Sequence, residues 1–311
     1  MVLGDGDYTY ELVDGWAVLP DGESFIDIGS VRFDRDGNVI VLNRSEHPVM
    51  VFDPNGERLG TWGEGHFSDR PHGMGLDADG NVLCTDDGNH TVTKFSPAGE
   101  PLMTLGTKDQ PTDTGHRYAD DIFERIASIQ RAAGPFNQPT GVTVTSNGDI
   151  YVADGYGNAC VHAFDPDGDH QFSFGGPGAG EGEFRLPHSI HTDGEDRLWV
   201  TDRENSRIQI FEPDGTFVDE WIDLIRPTSA YIDGDTVYVS ELCKRVSIFS
   251  IGGELLSRWG NRDRPADDPL FVAPHTIAVD DRGDVYVGEV SYSYNGTDKG
   301  ARTVQKFTHT G

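Results

Sequence analysis

One phrase recurs six times along the 311-residue chain: a short β-rich run, an acidic turn with glycine, a second run, a polar loop, and a third run ending in an aromatic residue. A period of about 35 to 50 residues with four short strands per copy predicts an all-β fold, a six-bladed β-propeller of four-stranded antiparallel blades. Two further observations agree. Turn signals such as "DRDG", "DPNG" and "DPDG" separate the runs, and the chain holds 39 Gly and 17 Pro, the composition of a turn-rich β protein.

The copies begin at Gly29, Pro71, Pro139, Pro187, Pro227 and Pro274. The last is one strand short, because the chain stops soon after Phe307. The N-terminal "YTYELV" is predicted to supply its missing outer strand, closing the ring and removing open sheet edges. Residues 1–311 are read as a single propeller domain. The main exception to the repeat is the insert at about 107–134, where Ile122, Phe123, Ile126 and Ile129 recur at helical spacing.

Naming the strands of a blade a to d from the axis outward, the residue at the entrance of strand a is Ser30, His72, Thr140, His188, Thr228 and His275 in turn. Histidine falls at blades two, four and six, which lie about 120° apart in a six-fold ring. Three imidazoles are therefore predicted to converge on the axis. Three protein nitrogens with a fourth position open is the arrangement of catalytic zinc, although imidazole accepts other divalent metals as well.

The b-to-c loops share that face. Arg44 and Arg203 occupy one register in blades one and four. A pair of guanidiniums there suits a small carboxylate substrate, gripped bidentately, or pairing with the local acids Glu46, Asp202 and Glu204. Tyr156, in the blade-three loop, places a phenol beside the predicted metal, and near a cation a phenol gives up its proton more readily. His90, also in a b-to-c loop, is a minor candidate ligand. The insert and the long segments 175–186 and 260–273 are expected on the rim of this face, with the helix as a partial lid.

The formal charge of −29 excludes nucleic acid as a natural partner. With 5 Lys against 19 Arg, it fits either a salt-adapted surface or a lysine-poor composition. No stretch reaches the roughly 18 apolar residues of a membrane span. The N-terminal residues lack a signal-peptide pattern, and Cys84, Cys160 and Cys243 show no metal or disulfide spacing. Buried free thiols and a cytoplasmic location are expected.

The phrases "PHGMGLDADGN", "YVADGYGNACVHAF", "FRLPHSI" and "VTDRENSRIQIF" resemble NHL repeats, and more closely peptidyl-α-hydroxyglycine α-amidating lyase, the peptidylamidoglycolate lyase of peptide amidation. The resemblance implies an NHL-type propeller holding axial zinc through His72, His188 and His275, with Tyr156 catalytic and Arg44 and Arg203 binding substrate. It implies cleavage of the N–C bond of an α-hydroxy-N-acyl carboxylate into an amide and an aldehyde acid such as glyoxylate. It also implies a structural calcium bound by the carbonyls of Val31 and Met74 and by an aspartate, where this chain has Thr276; that ion is thereby put in doubt. Gly157 replaces a disulfide cysteine, and Ala273 a methionine of the pocket floor. Two other readings remain open: a metal-dependent hydratase or hydrolase of a small carboxylated substrate, and a non-catalytic NHL scaffold.

Overall fold

The computed structural model describes residues 2–265 and 269–311. Residues 266–268, within the second of the two long rim segments, lie outside the described residues. The protein is a six-bladed β-propeller of antiparallel sheets. Blade one comprises Ile28–Phe33, Val39–Asn43, Val49–Phe52 and Arg58–Trp62; blade three comprises Pro139–Val144, Ile150–Asp154, Cys160–Phe164 and His170–Phe174. The other blades repeat the plan.

The turns show why the phrase repeats. In the a-to-b turn of blade one, Asp34 Oδ1 accepts from the N–H groups of Asp36 and Asn38 at 2.9 and 2.8 Å. Gly37 then takes a left-handed φ of 81°, which costs a glycine little. The same aspartate-centred turn recurs at Asp77 and Asp280. Strand b is buried at every position in blade one (Val39–Asn43), blade three (Ile150–Asp154) and blade four (Leu198–Asp202), whereas the outer strand Arg58–Trp62 has no buried position. Inner strands thus read as continuous apolar runs and outer ones do not.

The chain divides into two compact units. The first, Met1–Glu64 with Thr228–Gly311, contains blades one, five and six. Its two apolar clusters centre on Tyr10, Trp259, Phe271 and Phe307, and on Trp16, Phe25, Phe52 and Tyr286. The second, Gly65–Pro227, contains blades two, three and four, with clusters around Phe184, Val200 and Phe211 and around Phe136, Val152 and Phe164. Fully burying one such side chain contributes about 1.5–3 kcal/mol.

Blade six closes within the first unit as the sequence predicts: Tyr8–Val13 pairs with Val304–His309, from Tyr10↔His309 to Val13↔Lys306. The N-terminus goes further, because Val2–Asp5 folds back on Tyr8–Val13 as a fifth strand. The insert forms the helix Ile122–Ser128, capped by Asp121, whose carboxylate accepts from the N–H groups of Phe123 and Glu124. Ile126 and Ile129 face inward, but Phe123, expected on the apolar face, is 58% exposed and lies under the guanidinium of Arg226. All three cysteines are free; Cys84 and Cys160 are buried, but Cys243 is exposed, because it sits at the tip of the tight turn between Thr236–Glu241 and Arg245–Ser250.

Candidate metal centre

The entrance of strand a is a latch between neighbouring blades. In the second unit, His72 Nδ1 lies 2.6 Å from the carbonyl oxygen of Thr140. A carbonyl only accepts, so Nδ1 donates and Nε2 carries the lone pair. Thr140 repeats the latch one blade on, its hydroxyl donating to the carbonyl of Pro187 at 2.6 Å and to that of Ala153 at 3.1 Å. In the first unit, Thr228 Oγ1 lies 3.1 Å from the carbonyl of Pro274, and His275 Nδ1 donates to the carbonyl of Gly29 at 3.1 Å. Carbonyl-bound Nδ1 fixes ring orientation and presents Nε2 as a ligand atom.

The second unit assembles four of the six predicted site residues. The rings of His72 and His188 lie 4.8 Å apart, both side chains buried. Tyr156 Oη is 3.4 Å from Nε2 of each. The loop that presents the phenol is tightly held. The N–H groups of Tyr156 and Gly157 donate to the carbonyls of Gln138 and Asn137 at 3.4 and 3.0 Å. Thr114 of the insert donates to the Gly157 carbonyl at 2.6 Å. A Cβ at residue 157 would fall 2.1 Å from Asn137 Oδ1, so this loop needs glycine where the lyase family places cysteine.

Arg203 Nη1 donates to Tyr156 Oη at 3.2 Å, and its guanidinium carbon lies 5.5 Å from the centre of the phenol ring. The "DREN" segment explains how it is aimed. Buried Asp202 accepts from the N–H groups of Arg185 and Leu186 and from Asn205 Nδ2 and Arg207 Nε. This ties the loop to the approach of His188, and the Arg203 N–H adds a bond to the Leu186 carbonyl at 2.9 Å. Burial raises the Asp202 carboxyl above its ordinary range, against the opposing pull of these partners. For Arg203, burial favours the neutral form, but Tyr156 and Glu204 outweigh it and hold the guanidinium charged.

Arg70 joins the site without a motif to announce it. Its guanidinium lies 5.8 Å from the Tyr156 ring centre, flanking the phenol together with Arg203, and Asp87 grips it through both carboxylate oxygens. The signal available in the sequence is register: Arg70, Gln138 and Arg226 all stand two residues before the strand-a entrance. Gln138 and Arg226 also have positive φ, 67° and 51°, an uncommon conformation for such residues and one that clusters at sites.

The first unit holds the other two. His275 is buried at the start of Pro274–Val279. Arg44 Nη1 lies 3.6 Å from the buried carboxylate of Asp27 and 3.3 Å from Ser293 Oγ. Asp27 in turn accepts from the N–H groups of Tyr292 and Ser293 on the short helix Ser291–Asn295. Both predicted substrate arginines thus have an acidic neighbour, Asp27 for Arg44 and Glu204 for Arg203.

At the positions implied for calcium, the Val31 carbonyl accepts from Arg32 Nη1 at 2.8 Å, and the Thr276 hydroxyl lies 3.4 Å from the Val31 N–H. Burial pushes the Arg32 guanidinium down to about 10. The Val31 carbonyl, a doubtful calcium ligand by the resemblance, thus serves an arginine; Met74 is buried in the second unit. His90 Nδ1 accepts the Gln138 N–H at 3.1 Å and anchors that segment.

The donor set of His72, His188 and His275 is a histidine triad that could hold a metal ion. Nitrogen-only ligation, with Nδ1 of His72 and of His275 bound to carbonyls, suits zinc and neighbouring divalent ions.

Residues 136–164 and 184–211 match the NHL repeat. These segments carry Tyr156, His188 and Arg203. The chain is 32% identical to human NHL repeat-containing protein 3 over 189 residues, 55% of this chain and 50% of that protein. It is 31% identical to the peptidylglycine alpha-amidating monooxygenase of Rattus norvegicus over 192 residues, 56% of this chain and 18% of that protein. The chain thus spans half or less of the length of these relatives. Among solved structures, a streptogramin B lyase superposes with a TM-score of 0.63 at 14% identity, covering 99% of this chain and 98% of that one, a likeness of fold alone. No helix among the described residues is long and apolar enough to cross a membrane.

Proposed function

We propose that the protein is a zinc-dependent lyase that cleaves the N–C bond of a small α-hydroxy-N-acyl carboxylate, releasing an amide and an aldehyde acid such as glyoxylate. The observation that carries the reading is the position of Tyr156 Oη, 3.4 Å from Nε2 of both His72 and His188 and 3.2 Å from Arg203 Nη1. One polar atom there meets two candidate metal ligands and one guanidinium, which is where a proton in flight is best held.

In this reading His72, His188 and His275 hold the metal, which when bound supplies a Lewis acid for the substrate hydroxyl. Tyr156 takes the proton of that hydroxyl and returns one to the departing nitrogen, so the C–N electron pair leaves with the amide while the carbon becomes an aldehyde. Arg203 and Arg44 hold the substrate carboxylate and fix the reacting carbon against Tyr156. Arg70, on the other flank of the phenol, adds positive potential where the phenolate develops.

Incubation of purified, zinc-loaded protein with α-hydroxyhippurate and assay of glyoxylate and benzamide tests the reading. Equimolar appearance of both is expected. Stoichiometric metal with no turnover of any carbinolamide would sink the lyase reading, and uptake of solvent oxygen into a product would favour hydration or hydrolysis.

A further inference from the structure

We propose that Glu204 is a positioning residue that aims Arg203 at the reaction centre and links it to the helical insert. This rests on the reading above that Arg203 grips the substrate carboxylate. A single oxygen, Glu204 Oε1, accepts from Arg203 Nε at 2.8 Å and from Arg226 Nη2 at 2.6 Å. The Glu204 side chain is 1% exposed and that of Arg203 7%, so the bond geometry is shielded from water. Arg203 then spends its two edges on different tasks. Nε is pinned by Glu204, and Nη1 faces Tyr156 Oη at 3.2 Å.

Removing Glu204 takes away the acceptor that Arg203 Nε uses and with it the hydrogen-bond restraint on that edge of the guanidinium. A buried carboxylate between two arginines also leaves the group with one net positive charge, suited to a single substrate carboxylate.

The second arginine carries the contact outward. Arg226 lies 5.8 Å over the ring of Phe123, on the helix Ile122–Ser128, and its N–H donates to Ser206 Oγ at 3.1 Å. A continuous series of contacts therefore runs Phe123, Arg226, Glu204, Arg203, Tyr156 within one compact unit. It gives exposed Phe123 a role that an ordinary core position would not, because the insert presses on the arginine that shares an acceptor with the substrate anchor.

The test compares three variants by steady-state kinetics on α-hydroxyhippurate and by calorimetric binding of hippurate, a carboxylated probe that cannot react. Glu204→Ala is expected to weaken hippurate at least tenfold and to raise KM more than it lowers kcat. Glu204→Gln keeps an oxygen in the same place and is expected to restore hippurate binding to within about threefold of wild type. Arg226→Ala, which leaves the Arg203–Glu204 pair intact, is expected to change KM by a factor of about two to four. Equal loss in the Ala and Gln variants, or unchanged hippurate binding in a folded Glu204→Ala protein, overturns the proposal. Hippurate binding that follows this pattern in a wild-type protein without turnover supports the positioning role and removes only the lyase reading. Absence of hippurate binding in wild type removes both.

Discussion

Blades two and three put different residues to the same structural task. At the entrance of strand a, His72 of blade two and Thr140 of blade three each donate to a backbone carbonyl of the following blade, both at 2.6 Å. The threonine hydroxyl has one proton, and the latch uses it. The imidazole uses Nδ1–H in the latch and still has Nε2, which it turns toward Tyr156 at 3.4 Å. A hydroxyl therefore suffices for the latch at Thr140, and histidine adds a ligand atom without giving up the latch. The alternation of Thr228 and His275 in the first unit follows the same rule.

The sharpest way to separate latch from chemistry is Tyr156→Phe. It touches no latch bond, so metal content and melting temperature should match wild type, while turnover falls by about a hundredfold or more. A variant with near-normal turnover would show that the phenol is a bystander between two imidazoles.

Thr140→Val probes the other side. The Pro187 carbonyl loses the one hydroxyl proton, which the Ala153 carbonyl shares at longer range, and this should cost about 1–3 kcal/mol of stability in denaturant titration. Metal content should stay at the wild-type level. Loss of metal in this variant would mean that the hydroxyl blades shape the centre as well as the fold.

The smallest effect concerns the loops rather than the strands. Burial holds the imidazoles of His90 and His116 below the ordinary 6.5, with Arg125 adding to the effect at His116. As pH falls through about 6.5 the unfolded chain takes up protons that the folded chain resists, so stability declines from about pH 7 toward pH 5. His116→Gln should flatten this slope; partial exposure keeps the change to about 1 °C in melting temperature. An unchanged slope would place the pH response elsewhere.

Periodicity makes the six blades, the closing N-terminal strand and the alternation of His72, His188 and His275 legible in the sequence, because each depends on register within a repeat. Three features are not legible in that way. Arg70 lies in the repeat register, but only packing shows that its guanidinium flanks Tyr156. Phe123 fits a helical apolar stripe, yet the contact that decides its place is with Arg226, about a hundred residues away in sequence. The doubt about calcium at Val31 and Met74 is readable from Thr276, but the Arg32 side chain that bonds the Val31 carbonyl is a rotamer choice no spacing reveals. Repeats disclose what the backbone imposes on every blade; long side chains that reach across them escape it.

The central claim is that His72, His188 and His275 hold one metal ion. Elemental analysis of the native protein beside a folded His188→Ala variant tests it most directly. The account predicts about one zinc or other divalent ion per native chain and well under about a tenth of that in the variant. A metal-free native protein, or a variant that keeps its full complement, would contradict it.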